Sequence, residues 1–229
     1  MISIDTVYQR VLAILNKENR GYLTPQEFNL FANQAQLEIF EQYFFDLNQY
    51  SRLKDNNTEY ANLYSITEEK LSKFQKFGSF EIVEGFCSFA DTDIHKIGSV
   101  ISNGIEVEKI SEKEYRKYNL TKLGAPTLLS PVFIERTVDG IWGIQMFPSG
   151  DYADIEYVKK PAQVVWGYQN ILGKAQYNAS TSTNFELHES EEATLVLKIL
   201  GYAGISIQDP NVMQIAEAKE NKKISQEKS

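Results

Sequence analysis

Apolar residues recur at helical spacing near both ends of the chain and at strand spacing in between. Ile4, Val7, Tyr8, Val11, Leu12 and Leu15 follow the i, i+3, i+4 rule and predict an amphipathic helix over 4–18. Asn19-Arg20-Gly21 is the expected stop, because Gly21 can take a left-handed cap. The next helix start is the strongest local signal. Thr24 can cap, Pro25 takes the first helical position, Glu27 completes a T-x-x-E capping box, and Leu23 and Phe28 are spaced as a hydrophobic staple. Neither Pro nor Gly interrupts the chain from there to Tyr50, so one long helix is predicted over 24–50. Its apolar set (Phe28, Phe31, Ala35, Ile39, then Phe40, Phe44 and Leu47) drifts around the axis. A drifting face predicts several neighbours, other chains among them, rather than one core face and one wet face. Residues 51–76 are polar and expected to be irregular or weakly helical, with a loop at Asp55–Thr58 and a short helix or edge strand from Ser65.

From about residue 77 the period changes to two. Phe80–Val83 reads as a strand, and His95–Ile101 and Ile105–Ile110 flank Ser102-Asn103-Gly104 as a hairpin. Ser111 and Glu114 form another capping box that opens a short helix across Tyr115 and Tyr118. Pro131–Arg136 and Ile141–Phe147 flank Asp139-Gly140 as a second hairpin, and Tyr152–Val158 alternates as a further strand before Pro161. The Asn, Gly, Ser and Thr of 169–184 predict a surface loop. Helix returns with Glu189, Glu191 and Glu192 in a first turn favoured by the helix dipole. Ala193, Val196, Leu197, Leu200 and Ala203 form its apolar face and Gly204 its end. Asp209-Pro210 opens a last helix to about Lys223. The expectation is an α+β fold, with an N-terminal helical hairpin and C-terminal helices packed together around a β-rich middle of antiparallel hairpins. Residues 1–75 and 185–229 would form the helical body, 76–168 the β-rich domain and 169–184 the surface loop.

Composition narrows the function classes. The 229 residues are 42% hydrophobic, enough for a core, and 12% aromatic, with 13 Tyr and 13 Phe. Strand packing and a large subunit interface both use such residues. A net charge of -8 argues against general nucleic-acid binding, though an acidic wall lets DNA pass without holding it. Cys87 is the only cysteine, so neither an intrachain disulfide nor a thiolate metal site is expected. The start lacks a signal-peptide pattern and no run approaches the ~18–20 apolar residues that span a bilayer, which predicts a cytosolic site of synthesis and no membrane partner.

Chemistry-bearing patterns are sparse. His95 and His188 have no second ligand at metal spacing, and Cys87 has no neighbouring His. Asp91 and Asp93 read as turn initiators rather than a calcium loop, and Glu189–Glu192 as an acidic helix start rather than a metal site. The glycines match no phosphate-binding pattern. Lys70, Lys73 and Lys76, the pair Lys159-Lys160 and the pair Lys222-Lys223 read as solvated faces. Catalytic residues, metals and cofactors are therefore not expected.

In its order of parts the chain resembles the head-to-tail connector proteins of short-tailed bacteriophages, the adaptor or tail tubular A type, and most of all the portal-proximal ring proteins of crAss-like phages. The resemblance runs over nearly the whole chain. It is carried by Leu23-Thr24-Pro25-Gln26-Glu27-Phe28 and Asn33–Glu38 in the helical pair, by Asp93–Val100, Gly140–Pro148 and Ile155–Pro161 in the middle, and by Phe185–Glu189 and Gly201–Ile205 near the end. It implies a virion structural protein assembled in the host cytoplasm. A homo-oligomeric ring, dodecameric in that family, would dock on the portal protein, meet other tail or ring proteins, and let genomic DNA pass without specific binding. Phe28, Phe31, Phe40, Phe44, Leu200 and Tyr202 would then be the assembly-interface residues. Two other readings stay open: a non-catalytic ligand- or carbohydrate-binding β module lined by Trp142, Tyr152, Tyr157 and Trp166, and a hydrolase that gathers Asp91, His95 or Glu189 only on folding.

Overall fold

The computed structural model describes residues 1–17, 23–53, 58–90 and 92–206, with Ala218 and Lys222. The expected stop at Asn19-Arg20-Gly21, most of the loop from Asp55, Asp91 and all of the last helix over 209–223 but Ala218 and Lys222 lie outside the described residues. The fold is α+β and divides into two compact units. Unit 1 holds Met1–Lys73 and Pro161–Ser229, and unit 2, Phe74–Lys160, is inserted between them.

Unit 1 is built on α1 (Ile4–Lys17), α2 (Pro25–Leu53), α3 (Thr58–Ser72) and α5 (Glu192–Ser206), α4 lying in unit 2. Helix α5 packs on α1 and α2, and α3 packs on α2. The start of α2 forms as the capping box predicts. Glu27 Oε2 accepts from the Thr24 N–H (3.0 Å) and hydroxyl (2.7 Å), and Thr24 Oγ1 accepts from the Glu27 N–H (3.3 Å). Both staple residues, Leu23 and Phe28, are buried.

Two expectations for the helices need correction. The buried face of α2 does not drift. Phe28, Ala32, Ala35, Gln36, Ile39, Phe40 and Tyr43 form one continuous stripe. The sequence pattern hides it because two members are alanines, whose small size admits close approach, and one is a buried glutamine. Residues 58–72, expected to be irregular or weakly helical, form helix α3, and α5 runs through Gly204 to Ser206 rather than ending at Gly204. The inward face of α5 is Leu195, Val196, Ile199, Leu200 and Ala203, while Ala193 is exposed.

Gln36 belongs to a ladder of side-chain amides. One turn apart on α2, Asn29 and Asn33 each grip the backbone of the extended segment that returns from unit 2. Asn33 accepts from Val164 N–H (2.9 Å) and donates to its carbonyl (2.8 Å). Asn29 does the same for Trp166, at 2.7 and 3.4 Å. Gln36 donates to the Ala162 carbonyl (2.8 Å) and accepts from Glu186 N–H (3.3 Å), while Glu186 accepts from Ala162 N–H (2.8 Å). The helix thus supplies what a neighbouring strand would supply to residues 162, 164 and 166. Between them, Val165 pairs with Thr183, and Phe185 pairs with Ile2. Asn184 accepts from the Ile4 N–H at the head of α1 (3.0 Å), and Asp5 accepts from the Trp166 indole (3.0 Å).

The segment 169–184 is not a loop. Strands β9 (Tyr168–Ile171) and β10 (Lys174–Tyr177) form a hairpin, followed by a 3-10 turn at Ala179–Thr181. At Gly167 a Cβ would sit 2.1 Å from Thr181 Oγ1, so only glycine permits this approach.

Unit 2 is a pair of four-stranded sheets. One has the order β1-β8-β3-β4, from Gln75–Glu81, Tyr152–Lys159, Ile94–Ser102 and Ile105–Glu106. The other has the order β2-β7-β6-β5, from Phe86–Ser88, Ile141–Phe147, Val132–Val138 and Glu108–Lys109. Their inward residues, among them Ile155, Val100, Cys87, Ile144, Met146 and Phe133, share one buried cluster. On the other face of β6, Val132 and Ile134 with Ile110 are covered by Tyr115 of α4 (Glu112–Tyr118), which stacks on Phe147 at 4.1 Å. The capping box at Ser111 and Glu114 is present.

Four tight turns carry positive φ at both central residues, the geometry that matches strand twist. They are Glu84-Gly85 (53 and 83°), Asn103-Gly104 (53 and 76°), Asp139-Gly140 (52 and 82°) and Leu172-Gly173 (51 and 77°).

Asn33→Ala strips the partner from both backbone groups of Val164. It is expected to cost about 2–4 kcal/mol, against which the better helix propensity of Ala returns only about 0.5. The exposed Gln42→Ala on the same helix should change stability by less than about 0.5 kcal/mol. Urea denaturation midpoints of the two variants decide between a ladder that holds unit 1 together and a decorative one.

Candidate assembly interface

The residues expected at an interface serve the chain's own interior. Phe28, Phe40 and Leu200 are buried, and Phe28 lies 4.7 Å from Tyr8, ring centre to ring centre. Phe31, Phe44 and Tyr202 are half-buried. Phe44 meets Phe40 edge-on at 5.2 Å, and Phe31 lies 6.0 Å from Tyr202. Burial works against the charged form of Glu38, but hydrogen bonds from Tyr202 and Lys198 outweigh it and hold this carboxyl below its usual range.

The outward apolar surface of α2 is a different row. Leu30, Leu37 and Phe45 are exposed and lie on the side opposite the buried stripe.

Unit 2 gathers its exposed leucines in one loop. After α4 the chain makes two successive tight turns before entering β6. The first is closed by Gly124 and Ala125 N–H groups donating to the Thr121 carbonyl (both 3.2 Å). Thr127 and Ser130 exchange both backbone bonds across the second, at 3.2 and 3.0 Å. Each turn carries leucine at its tip. Leu120 is 81% exposed, Leu123 100%, Leu128 69% and Leu129 85%. Burying a leucine stabilises by about 2 kcal/mol, so a single chain leaves a large apolar contribution unused in one loop of about a dozen residues. The hairpin tip of β9 and β10 adds Leu172, 99% exposed, in unit 1.

Of the titratable groups that sequence offered as chemistry, the acids at 189–192 and His188 have structural employment. Glu189 takes the N-terminal ammonium (3.1 Å), buried Glu191 takes Lys70 (2.7 Å), and Glu192 takes Arg10 (2.6 Å). Hydrogen bonding from the N-terminal ammonium holds the Glu189 carboxyl below its usual range. These acids tie the chain start, α3 and α1 to the head of α5. Lys70 is therefore an inward cation, not part of a solvated face. His188 caps the 3-10 turn Glu189–Glu191, its Nδ1 accepting from Ser190 N–H (3.3 Å). Burial pushes the Cys87 thiol up to about 11. His95 lies in β3 of unit 2 and Glu189 in unit 1. Among the described residues, no three His, Cys, Asp or Glu side chains gather as a metal would require.

The four aromatics of the ligand-binding reading do not line one surface. Trp142 and Tyr157 pack against the unit 2 core and Tyr152 is exposed. Trp166 is buried in unit 1 among Tyr8, Tyr168 and Tyr177, at 4.3, 5.9 and 5.8 Å. Beside it is a hollow of about 560 Å³ lined by Asp5, Tyr8, Leu12, Lys174 and Tyr177. In unit 2 a second hollow, of about 590 Å³, is lined by Phe80, Glu81, Val83, Glu84, Phe86 and Val138.

Leu123→Ser and Leu129→Ser are expected to leave folding stability within about 0.5 kcal/mol of the parent while lowering binding of an apolar dye. Phe28→Ala should cost about 3–5 kcal/mol. Thermal melts read beside dye fluorescence separate the two roles. No helix among the described residues is long and apolar enough to cross a membrane. The chain matches no protein-family model and no curated protein sequence.

Proposed function

We infer that the chain is a structural subunit of a homo-oligomeric ring, acting as a head-to-tail connector of a short-tailed bacteriophage. In that role it docks on the portal and extends the DNA channel toward the tail. The observation that carries the reading is the loop at 120–129, whose leucines are held out by two hydrogen-bonded turns. A loop ordered by its own backbone yet apolar at its tips is built to be covered by another protein surface. The outward row Leu30, Leu37 and Phe45 on α2 gives unit 1 a contact surface of its own. Helix α2 supplies length: its 29 residues span roughly 43 Å, enough to form a wall element of a ring. A net charge of -8 suits a channel through which DNA slides, since a basic lining would hold it. The chemistry of such a subunit is contact and electrostatics, with no catalytic step.

Mass photometry of the full chain, alone and with the portal protein of its phage, tests this. A discrete population of closed rings, or of chain-loaded portal rings, is the expected result. A chain that stays monomeric in both conditions, or that binds a glycan as a monomer, would overturn the connector reading.

A further inference from the structure

We propose that the leucine loop of one copy seats in the unit 2 hollow of the next, so that the subunits join head to tail through unit 2. The inference rests on the ring reading and gives that ring its contact.

The loop and the hollow are separate features of one sheet. In the order β2-β7-β6-β5, the loop grows from the β5 and β6 side, where it follows α4 and leads into Val132. The hollow lies on the β2 side, formed by Phe86 and Ser88 of β2, by Phe80 and Glu81 of β1, and by the turn at Val83 and Glu84. It also takes in Gln145 of β7, which pairs with Ile134, and Val138 at the far end of β6 from Val132. Within one copy Leu123, Leu129 and Val83 are all exposed, so the loop does not fill its own hollow and remains free to fill a neighbour's.

The surfaces match in chemistry as well as placement. The loop offers branched aliphatic tips, and the hollow offers Phe80, Val83, Phe86 and Val138, with Val83 63% exposed. Charge complements shape. Lys117 and Lys122 lie within three residues of Leu120 and Leu123 along the chain, while Arg116 is paired with Glu112. Glu81 and Glu84 rim the hollow. Arg136 donates to Gln145, which lines the hollow (2.7 Å). Opposite charge ringing an apolar centre is the arrangement of a specific contact, with a buried core and a polar rim. Because loop and hollow are different patches, the contact is heterologous. Repeated, it closes into a ring when the rotation allows and otherwise grows as a filament. A second copy of this chain is thus the occupant that the geometry selects.

Two variants of the full chain test the contact. Leu123→Asp with Leu129→Asp removes the knob, and Val83→Asp removes the hollow; all three positions are exposed, and thermal melts confirm folding. Under the conditions where the parent assembles, on portal rings if they are needed, each variant alone should lose assembly by roughly 100-fold or more in midpoint concentration. Mixed in equal amounts without portal, the two should form one-to-one dimers and nothing larger, because one intact knob meets one intact hollow. Glu84→Lys should weaken assembly, and adding Lys122→Glu should restore it. Rings that form equally well from the knobless variant would overturn this contact and leave the ring reading standing. A mixture that gives no dimer would also overturn it. A parent chain that never assembles, with or without portal, would remove both.

Discussion

The helical unit depends on three side-chain amides. Unit 1 is interrupted: the chain leaves it after Lys73 and returns at Pro161, so its two halves must be rejoined by contacts between residues far apart in sequence. The returning segment is extended, and an extended segment needs hydrogen-bond partners on both sides once it is covered. On one side it finds a short strand, Val165 against Thr183. On the other it finds a helix, whose own backbone groups are already engaged. Asn29, Asn33 and Gln36 resolve the conflict by offering a donor and an acceptor each, at the rise that brings them level with residues 166, 164 and 162. Aliphatic residues at those positions would bury Val164 and Trp166 backbone groups without partners, at about 1–3 kcal/mol for each group.

The same device explains what was legible in the sequence. The capping boxes at Thr24 and Ser111 are local, needing only residues three apart, and both formed as read. Asn103-Gly104 and Asp139-Gly140 are also local signals, because Asn and Asp tolerate positive φ better than most residues. Glu84-Gly85 and Leu172-Gly173 adopt the same conformation with a first residue that carries no such preference, so the hairpin at 168–177 was hidden inside a segment rich in loop residues. In that hairpin the glycine and the strand pairing outweigh the leucine. The face of α2 was misread for a longer-range reason. A polar Gln36 on a buried stripe has no local signature, since its partners Ala162 and Glu186 are more than a hundred residues away.

Exposure was the least legible property of all. Phe28, Phe40 and Leu200 look like contact residues from periodicity alone, and their burial follows from helices whose packing the local pattern does not specify. Conversely, Leu120, Leu123, Leu128 and Leu129 have neither helical nor strand spacing, so no periodic reading would single them out. What marks them is the combination of apolar side chains with turn geometry, visible only once the backbone bonds of Thr121 and Thr127 are known.

In unit 1 the acids at the head of α5 find cations, with Glu191 and Lys70 paired in the interior and Glu192 and Arg10 nearer the surface. A buried pair of this kind adds little net stability, but removing one partner is costly, so it fixes which helices meet. Unit 2 has a single shared core between its sheets and a helix lid over one face of β6, which frees the loop after α4 from any duty in its own fold. A loop with no internal packing role, yet ordered by its own turns, can change its tip residues without endangering the sheets beneath it. That separation lets the tips of the loop change while the folding of the chain stays constant.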